Sequence, residues 1–129
     1  MATRMETITE GVTPIYRGTL KDENGIVVPG SVLLAARLTV YVGGVGTIVN
    51  ARDNQNVKNA NDVTISEAGA IVWKLREADT ILPSGPKPGA WQHWAVFVFE
   101  WEDAQSVPRQ IVHEVIFPIR RATNAPFTA

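Results

Sequence analysis

An all-β antiparallel sandwich of about seven or eight strands is the fold this sequence predicts. Two observations carry that expectation. Eight prolines and ten glycines punctuate the chain at short intervals, and the runs between them are rich in Val, Ile, Thr and aromatic residues. One long stretch, Trp91 to Pro118, alternates in a strand-like way on both sides of a short polar turn. There is no heptad and no internal repeat, so little helix is expected.

The elements follow from the punctuation. Ile15 to Leu20 reads as a first strand. Asp22-Glu23-Asn24-Gly25 then supplies the Asn-Gly chemistry of a tight hairpin, with Ile26 to Val28 after it and Pro29-Gly30 as its end. Leu34 to Val42 alternates, with Leu34, Ala36, Leu38, Val40 and Val42 on one face and Arg37, Thr39 and Tyr41 on the other. Gly43, Gly44 and Gly46 interrupt it before Thr47 to Val49. Asn50 to Asp62 is a polar loop. Val63 to Ile65 is a short strand, Glu67-Ala68-Gly69 a turn, and Ala70 to Leu75 a strand with Ile71, Trp73 and Leu75 in phase. Arg76 to Thr80 suits a single helical turn. Pro83 to Gly89 has three prolines and cannot enter a ladder.

The stretch from Trp91 to Pro118 then forms a hairpin around Glu102 to Pro108. At roughly 3.3 Å per residue its first strand spans about 36 Å. Its odd phase runs Trp91, His93, Ala95, Phe97, Phe99 and Trp101, then Ile111, His113, Val115 and Phe117. Its even phase carries Trp94, Val96, Val98, Val112 and Ile116 among Gln92, Glu100, Gln110 and Glu114. A strand on the outside of a lone sandwich is polar on its second face. Here that face is half apolar. The expected core draws on Leu34, Ala36, Leu38, Val40, Ile71, Trp73, Leu75, Phe97, Phe99, Val115 and Phe117. The five apolar even-phase residues are the expected protein interface, unless a loop or the N-terminal segment folds over them.

Composition narrows the function. A chain of 129 residues with 45% hydrophobic and 19% charged residues is the size and make-up of one folded domain. A net charge of −1 gives no bulk attraction to nucleic acid or anionic membrane. Met1 to Glu10, with Arg4, Glu6 and Glu10, lacks the apolar core of a signal peptide, and no apolar run is long enough to span a bilayer. Cysteine is absent, which removes disulfides, thiolate metal sites and a cysteine nucleophile.

Candidate sites each have a plainer reading beside them. Arg52 to Asn56 with Asn59, Asn61 and Asp62 offers hard oxygens for Ca²⁺, but it lacks the bidentate Glu and the Gly of an EF-hand, so local side-chain-to-backbone bonding is expected instead. His93 and His113 share a strand phase and would be neighbours in a suitable register, but a metal site needs a third ligand. No serine has a nucleophile elbow, and Glu102-Asp103 lies in a turn. Gly43-Gly44-Val45-Gly46 joins two strands rather than opening a phosphate-binding helix. No catalytic residue, cofactor or metal is expected. Trp91 and Trp94, beside the Pro-rich loop, leave open a carbohydrate-binding module that stacks sugars on exposed tryptophans, against burial or a protein-interface anchor.

The order of motifs adds a resemblance. Leu20, Asp22 and Gly25 in "LKDENG", Gly69, Trp73, Asp79 and Thr80 in "GAIVWKLREADT", Ala95, Phe97 and Phe99 in "AVFVFEW", and Phe117-Pro118 in "HEVIFPI" fall in sequence. In this the chain resembles, over about residues 11–119, the immunoglobulin-like domains of tailed-phage virion proteins, with the N-terminal domain of baseplate upper proteins (BppU-like) the nearest match. It departs at Val12, where that pattern is acidic, and at Val96 and Val98, where its outward positions are often acidic. The resemblance implies an immunoglobulin-like sandwich at 11–119, an N-terminal arm at 1–10 and a C-terminal tail at 120–129, the arms ordering on assembly. It implies a non-enzymatic structural protein of a bacteriophage or prophage virion, made in the host cytoplasm. The role would be capsid decoration, or a head-tail or baseplate connector, built from repeated copies through protein–protein contacts, with no nucleic-acid or membrane partner.

Overall fold

A computed structural model of the chain describes residues 3–44, 46–82 and 91–120, and of Trp91 the backbone alone. It is an all-β sandwich with nine strands among the described residues: β1 (Thr3–Arg4), β2 (Ile8–Thr9), β3 (Ile15–Thr19), β4 (Leu33–Val42), β5 (Gln55–Asn56), β6 (Val63–Ile65), β7 (Ala70–Lys74), β8 (Trp91–Glu102) and β9 (Pro108–Arg120). The large sheet runs β1-β9-β8-β4-β5, with β2 also on β9, and the small sheet runs β3-β7-β6. Strands β4, β8 and β9 of the large sheet pack against β3, β7 and β6 of the small one as a two-sheet sandwich. The expected Pro-rich loop at 83–89, and the expected tail beyond Arg120, lie outside the described residues.

The long hairpin is the backbone of the large sheet. β8 and β9 pair antiparallel from Trp91↔Ile119 to Glu102↔Pro108, and β8 pairs on its other side with β4, from Val42↔His93 to Leu33↔Trp101. The inward phase is aromatic. Trp73 meets Phe97 and Phe117 edge-on, each at 5.7 Å between centroids, and Phe97 stacks on Phe99 at 5.7 Å. Tyr16 reaches this cluster from β3 because Gly18 is bare: a Cβ there would lie 2.5 Å from the Tyr16 hydroxyl oxygen. That hydroxyl is hydrogen-bonded to His113 Nε2 at 2.6 Å, tying the two sheets together. Burial pushes the Tyr16 phenol pKa up.

Two expectations change. Leu34 was assigned to the core, yet it is 63% exposed while Leu33 is 2% exposed. The β4–β8 register slips between Leu33 and Ala35, so two steps on β4 match one on β8. This β-bulge reverses the phase of everything before it. The segment 1–10 was expected as an arm that orders on assembly, but within the single chain β1 and β2 pair parallel with β9, Thr3↔Val115 and Ile8↔Ile119. Ile8 is buried, and Glu10 N–H donates to Arg120 C=O at 2.8 Å.

One end of the sandwich is closed by a polar hub. Arg52 is 2% exposed, and its guanidinium donates to both Asp79 carboxylate oxygens, at 2.5 Å from Nε and 3.0 Å from Nη2. It also donates to Gln55, to the Asn61 carbonyl and to Asp62, and lies 5.7 Å from the Trp73 ring centroid. Asp79 ends a 3-10 turn, Glu77–Asp79, and its carboxylate also accepts the Arg76 N–H at 2.7 Å. Thr80 next to it accepts from Gly11 N–H at 3.0 Å and donates to Val12 C=O at 2.9 Å. Three chain segments, 11–12, 50–62 and 77–80, therefore meet at one buried charge pair.

Removing one partner of a buried pair strands the other charge, at a cost of about 3–5 kcal/mol. Asp79→Ala is expected to lower unfolding free energy by about that much, measured by urea denaturation. The Arg52→Met, Asp79→Ala double variant is expected to recover part of the loss, since it leaves no orphaned charge. Arg76→Ala, at the exposed end of the network, is expected to change the midpoint far less.

Candidate functional site

The alternation that fills the core with the odd phase of β8 and β9 turns the even phase outward. On the outer face of the large sheet the register sets residues in rows. Arg37, Val98 and Val112 form one row, and Thr39, Val96 and Glu114 the next. Tyr41, Trp94, Ile116 and Arg4 form a third. All five expected interface residues, Trp94, Val96, Val98, Val112 and Ile116, thus share one continuous surface. Val112 is 51% exposed and the other four are half-buried. The N-terminal segment does not fold over this surface; it extends the sheet at the β9 edge.

Two features shape the surface. Tyr41 and Trp94 stack at 6.4 Å between centroids and 13° between planes. Gly43 makes room for the indole, since a Cβ there would approach Trp94 Nε1 to 2.6 Å. Charge borders the apolar residues: Arg37 and Glu100 form an ion pair at one end, Glu114 lies between Val112 and Ile116 on β9, and Arg4 flanks Ile116 at the other end. An apolar centre with an ion-paired margin is the anatomy of a protein contact patch. Tyr41 was placed on the second face of its own strand from sequence, but its position beside Trp94 depends on the β4–β8 register, which no local pattern reveals.

The other sequence candidates resolve differently. His93 pairs with Phe117 and His113 with Phe97, so the two histidines stand four positions apart along the sheet and do not converge. His93 is fully buried; its Nδ1–H donates to Asp79 C=O at 3.0 Å, and Nε2 has no partner among the described residues. The 50–62 loop is organised by Arg52, with Asn50, Asn54, Asn59, Asn61 and Asp62 at positive φ. Asp62 serves Arg52 and Arg76. Its carboxyl is held below the usual range, first by the Arg76 hydrogen bond and then, against partial burial, by Arg52. Asp103 closes the β8–β9 turn, accepting N–H bonds from Gln105 and Val107. Trp101 is buried in the core. Among the described residues no group of three or more His, Cys, Asp or Glu side chains converges, and no helix is long and apolar enough to cross a membrane.

Neither the models of known families, nor curated proteins, nor solved structures give a match to this chain.

The two histidines make stability depend on pH. Burial lowers the pKa of both below the ordinary value, for His93 against a weaker opposing pull from the Asp79 carbonyl and charge. Unfolded histidine takes up a proton near pH 6.5 while the folded chain resists it, so stability is full above that value and falls as pH drops towards the depressed folded values. Urea midpoints are expected to be lower at pH 5.5 than at pH 7.5. The difference should shrink in His93→Gln and in His113→Gln.

Proposed function

We propose that this protein is a non-enzymatic structural component of a tailed-phage or prophage virion. It serves as an accessory or decoration protein, or as a head-tail or baseplate connector, and is present in repeated copies. The observation that carries the reading is the half-apolar outer face of the large sheet. A contiguous apolar patch at the centre of a sheet marks an interaction surface. The resemblance of its motif order to virion immunoglobulin-like domains supports this class of assembly. The departures from those domains at Val96 and Val98 fall in the middle of this same face, so the contact is specific to this protein. Burying Trp94, Val96, Val98, Val112 and Ile116 against a neighbouring virion protein removes apolar area from water at roughly 25 cal/mol per Å².

A second reading has one observation in its favour. The stacked Tyr41–Trp94 pair is an aromatic platform of the kind that stacks on sugar rings, so a carbohydrate-binding module is the alternative function.

Val98→Lys separates these readings. Its side chain is half-exposed, so the fold is expected to survive. On the virion reading the variant no longer co-sediments with particles from an induced lysate, whereas the unaltered protein does. Unchanged co-sedimentation would sink the assignment of this face. Binding on a glycan array that disappears in Trp94→Ala would favour the sugar-binding module. Portal, capsid or tail-tube genes beside its own gene would support the virion class independently.

A further inference from the structure

Among the described residues strand β3 is an open edge. It pairs there with β7 alone, and the ladder's end bonds run from Leu20 N–H to Gly69 C=O and from Leu75 N–H to Pro14 C=O. Main-chain groups alternate sides along an antiparallel strand. Those of Tyr16 and Gly18 therefore face β7, and those of Ile15, Arg17 and Thr19 face away. Among the described residues none of these three edge residues has a main-chain hydrogen bond on that side. The opposite edge of the same sheet is covered: Ile65 N–H donates to Asn59 Oδ1 at 2.8 Å, and Gly30 N–H donates to Ser66 C=O. In the large sheet the edge strands β1, β2 and β5 have two residues each, while β3 has five.

The open edge has a groove beside it. A cleft of about 570 Å³ lies between β3 and residues 3–9 of the large-sheet edge, lined in part by Met5, Ile8, Val12, Pro14 and Tyr16. Its walls are mixed, the apolar residues alternating with threonines and with the charged Arg4, Glu6 and Arg17, and its β3 side presents strand-spaced hydrogen-bonding groups over about 17 Å. That combination fits an extended chain, with main-chain bonds supplying affinity and alternate side chains entering the cleft.

We propose that β3 receives an added strand from a partner protein: an extended segment, apolar at alternate positions, with a carboxylate facing Arg17. Net charge favours this occupant, since Arg4 and Arg17 outnumber Glu6 along the cleft. The strands of the small sheet contain Arg17 and Lys74, both exposed, and no acidic residue. Neither cation has an ion-pair partner among the described residues. A second copy of the chain fits less well, because antiparallel β3–β3 pairing centred on Arg17 sets two like charges opposite each other. The site is distinct from the outer face of the large sheet and does not rest on that reading.

Amide hydrogen exchange tests it on the whole protein, with end-blocked Thr-Val-Glu-Val-Thr as the probe and its Lys-centred counterpart as the control. The amides of Ile15, Arg17 and Thr19 should exchange rapidly in the free protein and slow on adding the Glu peptide. That peptide should bind about threefold to fivefold more tightly than the Lys peptide at low salt. Arg17→Glu should reverse the order. Arg17→Pro, which removes an edge-facing N–H, should abolish binding with the fold retained by circular dichroism. Four results would overturn the proposal: protection in the dilute free protein, protection that rises with protein concentration, no binding of the Glu peptide, or equal affinity for the two peptides. Val98→Lys should leave peptide binding unchanged, which keeps this test separate from that of the outer face.

Discussion

The ladder between β8 and β9, flanked by β4, is the constraint on which the rest of the molecule depends. Side chains of a strand alternate strictly between faces. Once Phe97, Phe99 and Phe117 are committed to the aromatic core around Trp73, the orientation of every neighbour on these strands is set. Val96, Val98, Val112 and Ile116 have no route inward, since a one-residue slip would turn the aromatic phase into water. The apolar outer face is therefore not a packing accident that a small shift could relieve. It is fixed by the same register that builds the core.

The second organising element lies at the end of the sandwich where Arg52 meets Asp79. A buried ion pair adds little net stability over apolar packing, but it penalises any arrangement in which either partner is left alone. Here that penalty enforces geometry. Asp79 fixes the 3-10 turn, Arg52 draws the 50–62 loop onto Trp73, and Thr80 fastens the strand-to-strand passage at 11–12. The placement of the N-terminal segment beside β9, and so of the cleft along β3, follows in part from this fastening.

Much of this was legible in the sequence, because strong alternation and turn chemistry are local signals. The long hairpin, the strand over 70–74 and the Asn-Gly turn at 24–25 stand as read, with Asp22 accepting the N–H groups of Asn24 and Ile26. What stayed hidden depends on pairing between distant segments. The bulge that exposes Leu34 shows only against β8. β1 and β2 are two residues each, too short to alternate, and so resembled an arm. Arg52 sat in a run of polar residues that looked solvated, and only its meeting with Asp79, 27 positions away, shows it to be buried. Of the candidate site, the hairpin's contribution was readable; Tyr41, Arg37 and Arg4 joined it through register.

On the proposed function, the outer face of the large sheet is completed by another protein. Hydroxyl-radical footprinting of assembled particles against the free chain addresses that claim at single residues. Trp94 and Tyr41 should be oxidised readily in the free protein and be protected in the particle, while exposed Ile26, in the turn that follows β3 of the small sheet, should react alike in both. Equal reactivity of Trp94 and Tyr41 in the two states would contradict the assignment of the outer face as the contact surface.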